Sequence, residues 1–177
     1  MSEQSRTWTR RTVLAATAGI TSLGWRNPLL AAAPLPAPTG DPVFTVGGKI
    51  KVHNAGDLAA FDMKGLDSLP QTGFTTKTPW TPEAKFDGVL LSTLLDRLGA
   101  SGKIAVSYAL NDYVIEIPLE NLTDDGPLLA TRMNGATMPV QKFGPIFVVY
   151  RFDTHPEWRN NAIYARCIWQ LQKMVIR

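Results

Sequence analysis

The chain has 177 residues, 45% of them apolar, with 18 Lys and Arg against 15 Asp and Glu, a formal charge of +3, one cysteine and two histidines. That length and apolar content suit one ordinary domain with an extension and argue against a multidomain enzyme. One cysteine excludes an internal disulfide, and with only His53 and His155 beside it there is no four-ligand structural zinc site unless carboxylates complete one.

The excess positive charge is confined to the N-terminal part. Residues 1–33 hold Arg6, Arg10, Arg11 and Arg26 against Glu3 alone, so the remaining 144 residues hold 14 basic and 14 acidic side chains. A basic footprint for nucleic acid or anionic lipid is not expected in the body of the chain. Residues 1–33 carry paired arginines, then a short, mildly apolar run from Val13 to Trp25, then Leu29-Leu30-Ala31-Ala32-Ala33. This order matches a secretory leader, and the Arg10-Arg11 pair resembles the twin-arginine kind, which implies a periplasmic location. The run is well short of the roughly 20 apolar residues of a spanning helix. Pro34 disfavours cleavage directly after Ala33, which leaves a retained N-terminal anchor open. Residues 34–42 hold four prolines and read as a stiff extended linker to a single domain over 43–177.

Val43–Val46 and Lys49–Val52 around Gly47-Gly48 predict an opening hairpin. Asn54 or Asp57 can cap a helix whose apolar positions are Leu58, Phe61 and Leu66, ended by Pro70. Phe74-Thr75-Thr76 favours a strand, and Thr78-Pro79-Trp80-Thr81-Pro82 an ordered loop. Leu91, Leu94, Leu95 and Leu98 share one helical face, with Gly99 as the C-terminal cap. Strands over 104–109 and 113–118 flank a turn at Asn111-Asp112, and one helical turn is expected at Leu119–Leu122. Leu128–Met133 and Ile146–Tyr150 read as strands, 156–162 as a short helix, and 167–175 as a last strand containing Cys167. Strands outnumber helices and pair with sequence neighbours, which predicts α+β with a mixed, largely antiparallel sheet system.

The sequence contains no phosphate loop, no G-x-G-x-x-G and no G-x-S-x-G. The two histidines are taken as solvated, and Cys167 as a small buried hydrophobe. Trp80, Tyr113, Arg132, Arg151 and Trp158 lie at strand ends or in loops, where sites are usually built. Indole faces stack on rings and guanidinium forks bond oxygens in pairs, so these residues suit a flat, polar ligand; anchoring of loops and solvated charge is an equally good reading of any one of them.

Phe86-x-Gly88-Val89-Leu90-Leu91 into a Leu-rich helix, Asn111-Asp112-Tyr113 with Ile117-Pro118, Leu129–Gly135, and Gly144-Pro145-Ile146 occur in an order that resembles the sulfite-oxidase-like molybdopterin-binding domain. The resemblance covers residues 43–177 and implies a compact α+β fold with a pterin cofactor in a cleft. In catalytic members a cysteine ligates molybdenum; the matching stretch here, Phe74 to Trp80, has none, and a hydroxyl is a poor substitute for a soft thiolate. Molybdenum is therefore doubtful, and no metal ligand or catalytic residue is assigned. Size, leader and missing cysteine are similar to those of a subgroup of small exported proteins that sense reduced pterins and signal to a membrane-bound enzyme of cyclic-di-GMP metabolism. The resemblance implies a pterin site in which Trp80 stacks on the ring, Asp112 or a backbone carbonyl bonds its amino-pyrimidine edge, Arg132 and Arg151 hold oxygens, and Thr76, Asn111, Tyr113 and Trp158 complete the wall. A molybdopterin-dependent oxidoreductase with an unusual metal site and a ligand-free interaction module are the alternatives.

Overall fold

The computed structural model describes residues 34–120 and 122–177. Ten strands form two sheets: β1 (Phe44–Gly48), β2 (Ala59–Phe61), β3 (Thr72–Thr76), β4 (Ala84–Leu90), β5 (Ile104–Ala109), β6 (Val114–Pro118), β7 (Leu128–Met133), β8 (Ala136–Thr137), β9 (Phe147–Val149) and β10 (Leu171–Ile176). Among the described residues three short helices accompany them, α1 (Met63–Asp67), α2 (Leu91–Leu98) and α3 (Asn161–Arg166), with one 3-10 turn at Pro156–Trp158. The first sheet has the order β2-β1-β10-β5-β6, parallel only where β1 meets β10. The second runs β3-β4-β7-β8, with β9 also on β7, and all of its pairs are antiparallel. This is the expected α+β architecture with few helices.

The core forms where the apolar alternation of these strands meets α2. Phe44, Val46, Met174 and Ile176 point inward from β1 and β10, and Phe86, Leu128, Leu129 and Phe147 from the second sheet. Leu91, Leu94, Leu95 and Leu98 are all buried on α2, and Gly99 ends it in the left-handed conformation at φ 58°. Each such leucine contributes about 1.5–3 kcal/mol of burial. Two motif glycines have a steric reason. A Cβ at Gly88 would overlap the Leu129 carbonyl across β4 and β7, and one at Gly144 would overlap the carbonyl of Met138.

Several local expectations are corrected. Lys49–Val52 is not the second arm of a hairpin: β1 pairs instead with β2 and β10, while the N–H groups of Lys51 and Val52 donate to the Leu98 carbonyl. Alternation marks a strand but not its partner, and β10 supplies a non-local one. The helix expected from Asn54 or Asp57 begins only after Asp62. Asn54 uses its amide to bracket Ala60, holding Ala59–Phe61 as a strand, and Leu58 stays exposed. Phe86–Val89, expected only to lead into α2, lies within the strand β4. Residues 156–162 hold a 3-10 turn and only the start of α3, because Asn160 caps the helix at Ile163. Cys167 follows α3 and is not part of the last strand, which starts at Leu171. The turn expected at Leu119–Leu122 includes Asn121, outside the described residues.

Residues 34–40 form neither helix nor strand but lie against the domain. The Pro34 carbonyl accepts from Arg97 Nη2 at 3.1 Å and that of Pro36 from Asn54 Nδ2 at 2.7 Å. Asp62 is the latch. One carboxylate oxygen accepts the Gly65 N–H at 2.6 Å and caps α1; the other accepts the N–H groups of Thr39 and Gly40 and the Thr39 hydroxyl. These donors, Gly65 and Gly40 first, hold its carboxyl down at about 2. A lowered folded-state pKa contributes stability above the unfolded value that is lost as pH falls through the folded one. Acid unfolding should therefore show a loss of stability between pH 3.8 and about 2 that is absent in Asp62→Asn. Identical acid profiles for the two proteins, followed by circular dichroism, would count against the latch.

Candidate functional site

Three chain segments meet at one end of the first sheet and enclose a cavity of about 270 Å³. The loop after β3 provides Trp80, the β5–β6 turn provides Asn111 and Tyr113, and the stretch from α3 to β10 provides Tyr164, Ala165, Cys167, Ile168 and Trp169. The volume lies just below the usual range of about 300–1,000 Å³ for small-molecule pockets, enough for one compact ring system. The walls are aromatic. Trp80 meets Trp169 edge-on at 5.3 Å between centroids, with Tyr164 at 6.2 Å and Phe147 at 6.3 Å. Behind them Phe143 stacks on Phe147 at 5.0 Å and turns its edge to Trp169. Edge-to-face packing of this kind fixes ring orientation beyond simple area burial.

The polar features are few and uncharged. Tyr113 OH donates to the Ala165 carbonyl at 2.9 Å, tying the β5–β6 turn to the end of α3. Asn111 Oδ1 accepts the Tyr113 N–H at 3.2 Å, and its side-chain NH₂ has no protein partner among the described residues. Trp80 and Tyr113 are 38% and 43% exposed, unusually open for such large side chains. Cys167 forms part of the wall, but burial pushes its thiol up to about 12, and its Sγ lies 3.5 Å from the Ile163 carbonyl. At neutral pH it is a thiol and a poor nucleophile or metal ligand.

Of the eight residues singled out in the sequence, Trp80, Asn111 and Tyr113 line this cavity. Asp112 occupies the adjoining turn at φ 64° and is solvent-exposed, outside the lining. Thr76 ends the strand that leads to the Trp80 loop; it is fully buried and its Oγ1 has no hydrogen-bond partner among the described residues. Arg132 lies elsewhere, clamped bidentately on Asp67 at 2.7 and 2.8 Å, a bond that holds the Asp67 carboxyl below its ordinary value. Arg151 and Trp158 form a second cluster. The Arg151 guanidinium sits 4.8 Å above the Phe74 ring and 3.7 Å from Asp125, with its Nε buried and unpartnered among the described residues. Trp158 stacks on His155 at 4.0 Å, and His155 is not merely solvated, lying between Asp125 and Glu157. Tyr164 and Trp169 were missed. Trp169 reads as part of the last strand and Tyr164 lies beyond the short helix expected at 156–162, so the signal was confined to two further aromatics near the chain end.

Comparison with known proteins settles the family. The profile of the oxidoreductase molybdopterin binding domain matches residues 52–151. The chain belongs to this family. No curated protein matches it by sequence. Among solved structures it is similar to the sulfane dehydrogenase SoxCD of Paracoccus pantotrophus, with a TM-score of 0.56 at 17% identity over 75% of this chain and 37% of that one. That likeness shows the sulfite-oxidase-type fold, and this chain spans little more than a third of the matched chain. Trp80, Asn111 and Tyr113 fall inside the family segment, whereas Tyr164 and Trp169 lie beyond it.

A molybdopterin-binding domain implies a molybdopterin-like ligand, and its two parts can be tested separately against the side chains. The aromatic walls and the free Asn111 amide fit a flat heterocycle with polar edges. The metal part has no comparable fit: the stretch from Phe74 to Trp80 offers hydroxyls, Cys167 is held as a thiol, and among the described residues no group of three His, Cys, Asp or Glu side chains is placed to hold an ion. Native protein at pH 7.5 should accordingly react slowly with a maleimide at Cys167 and promptly once denatured. Fast labelling of the folded protein would show an activated thiolate and reopen the question of a thiolate ligand.

Proposed function

We propose that the chain is an exported, non-catalytic pterin-binding protein that reports the occupancy of its cavity to a membrane-bound enzyme of cyclic-di-GMP metabolism. The observation that carries the binding half is the cavity itself, an uncharged aromatic enclosure with one free amide, on the fold of a family that binds a pterin derivative. The ring occupies the cavity against the Trp80 indole, which Trp169 braces edge-on, and Asn111 bonds its edge. The lack of a thiolate in the Phe74–Trp80 stretch supports binding without turnover. The leader-like residues 1–33 support a periplasmic location. Size, leader and missing cysteine support membership of the pterin-sensing subgroup and so the signalling partner.

The second reading is a molybdopterin-dependent oxidoreductase, favoured by the family match itself. The two readings part on metal content. Protein isolated from its native host should contain no molybdenum by elemental analysis; one atom per chain would establish the oxidoreductase reading instead.

Stacking on an indole contributes about 1–3 kcal/mol per base in nucleic-acid complexes, a fair guide for a pterin ring. Titration with a tetrahydropterin, followed by quenching of tryptophan fluorescence, should show saturable binding. Trp80→Ala should weaken it by about 1–3 kcal/mol, while Trp158→Ala, in the other cluster, should leave it unchanged. Equal losses for both, or no binding by the unaltered protein, would sink the assignment of this cavity.

A further inference from the structure

The loop that presents Trp80 is closed by side chains. Thr78 is 3% exposed and Thr81 7%. Thr78 Oγ1 accepts the Trp80 N–H at 3.2 Å and the Thr81 N–H at 3.0 Å, and lies 2.9 Å from Thr81 Oγ1. A hydroxyl has two acceptor positions and one donor. With both acceptor positions taken by N–H groups, the Thr78 proton is directed to Thr81 Oγ1, so the group is fully satisfied in a site where an unmade bond would be costly. A threonine hydroxyl closing a turn in this way replaces the usual backbone carbonyl. Pro79, between Thr78 and Trp80, restricts the turn further by fixing φ.

This arrangement matters because the Trp80 side chain is only partly held by packing. It is 38% exposed and meets Trp169, Tyr164 and Phe147 through edge contacts. Its backbone, by contrast, is pinned one atom from Cα by the Thr78 hydroxyl. We infer that Thr78 is a positioning residue of the cavity: its hydroxyl sets the backbone of Trp80 so that the indole stands as the outer wall facing Trp169. The inference rests on the reading that Trp80 contacts the bound ring.

Thr78→Val removes the hydroxyl while keeping the shape, and Thr78→Ser keeps the hydroxyl. Three quantities separate them: affinity for a tetrahydropterin, the near-ultraviolet circular dichroism of the tryptophans, and the melting temperature. Thr78→Val should bind about tenfold more weakly, the scale of one lost hydrogen bond. It should also change the near-ultraviolet spectrum, and Thr78→Ser should restore both. In a Trp80→Ala background the same substitution should cost no further affinity, since the effect passes through Trp80. If Thr78→Val does not fold, Thr78→Ala removes the hydroxyl without a branched side chain and gives the same comparison. Unchanged affinity and spectrum, or an affinity loss that persists in full without Trp80, overturns the inference. A melting-temperature drop with the spectrum and affinity intact also overturns it, marking Thr78 as merely structural. Failure of the unaltered protein to bind the pterin would instead refute the pterin reading; the spectrum of Thr78→Val, rescued or not by Thr78→Ser, would still decide the role of Thr78.

Discussion

The fold depends on the insertion of β10 between β1 and β5. Thr45 to Gly48 pair in parallel with Lys173 to Ile176, and the other edge of β10 pairs antiparallel with β5 from Leu171↔Ala109 to Ile176↔Ala105. Parallel neighbours cannot be joined by a tight turn, so the second sheet and the three described helices lie in the chain between β1 and β10. The same insertion makes the cavity. Gln170 accepts the Leu110 N–H at 2.9 Å, which sets Trp169 beside the β5–β6 turn, and the Phe143–Phe147 pair carries the Trp80 loop against it. A cavity lined by residues 80, 111, 113, 164, 165 and 167–169 therefore exists only once the central sheet has closed.

How far the sequence discloses this depends on the range of each interaction. The α2 face, its Gly99 cap and the β5–β6 hairpin are local, and all are present as expected from spacing alone. The hairpin expected at Gly47-Gly48 and the helix expected from Asn54 fail because the competing partners, β10 and the Ala60 backbone held by Asn54, are non-local or make side-chain bonds that periodicity does not encode. The site divides in the same way. Trp80 and Tyr113 stood out as large side chains in a loop or at a strand end, and they line the cavity together with Asn111, which only the family resemblance singled out. Arg132 and Arg151 looked similar, but their carboxylates, Asp67 and Asp125, are distant in sequence. An arginine's freedom cannot be read without its partner.

Charge shows the same limit. Residues 1–33 hold the net positive charge, and the 14 charges of each sign in the rest of the chain include the pairs Arg132–Asp67, Arg151–Asp125 and Arg159–Asp153. Along the cavity the lining is uncharged. That lining offers aromatic rings and a single amide, a chemistry that suits a neutral heterocycle. A thiolate-linked metal would need a deprotonated sulfur. The one cysteine in the wall is kept protonated by its burial, and the Phe74–Trp80 stretch offers hydroxyls, one of which, Thr78, already has a full set of hydrogen bonds in holding Trp80.

The central claim is that this aromatic cavity is the pterin site, and a crystal structure of the protein grown with a tetrahydropterin tests it most directly. The account predicts ring density in the cavity against the Trp80 indole, with a ring nitrogen or oxygen within hydrogen-bond distance of the Asn111 amide. Density at the Arg151–Trp158 cluster instead, or an empty cavity at saturating ligand, would contradict it.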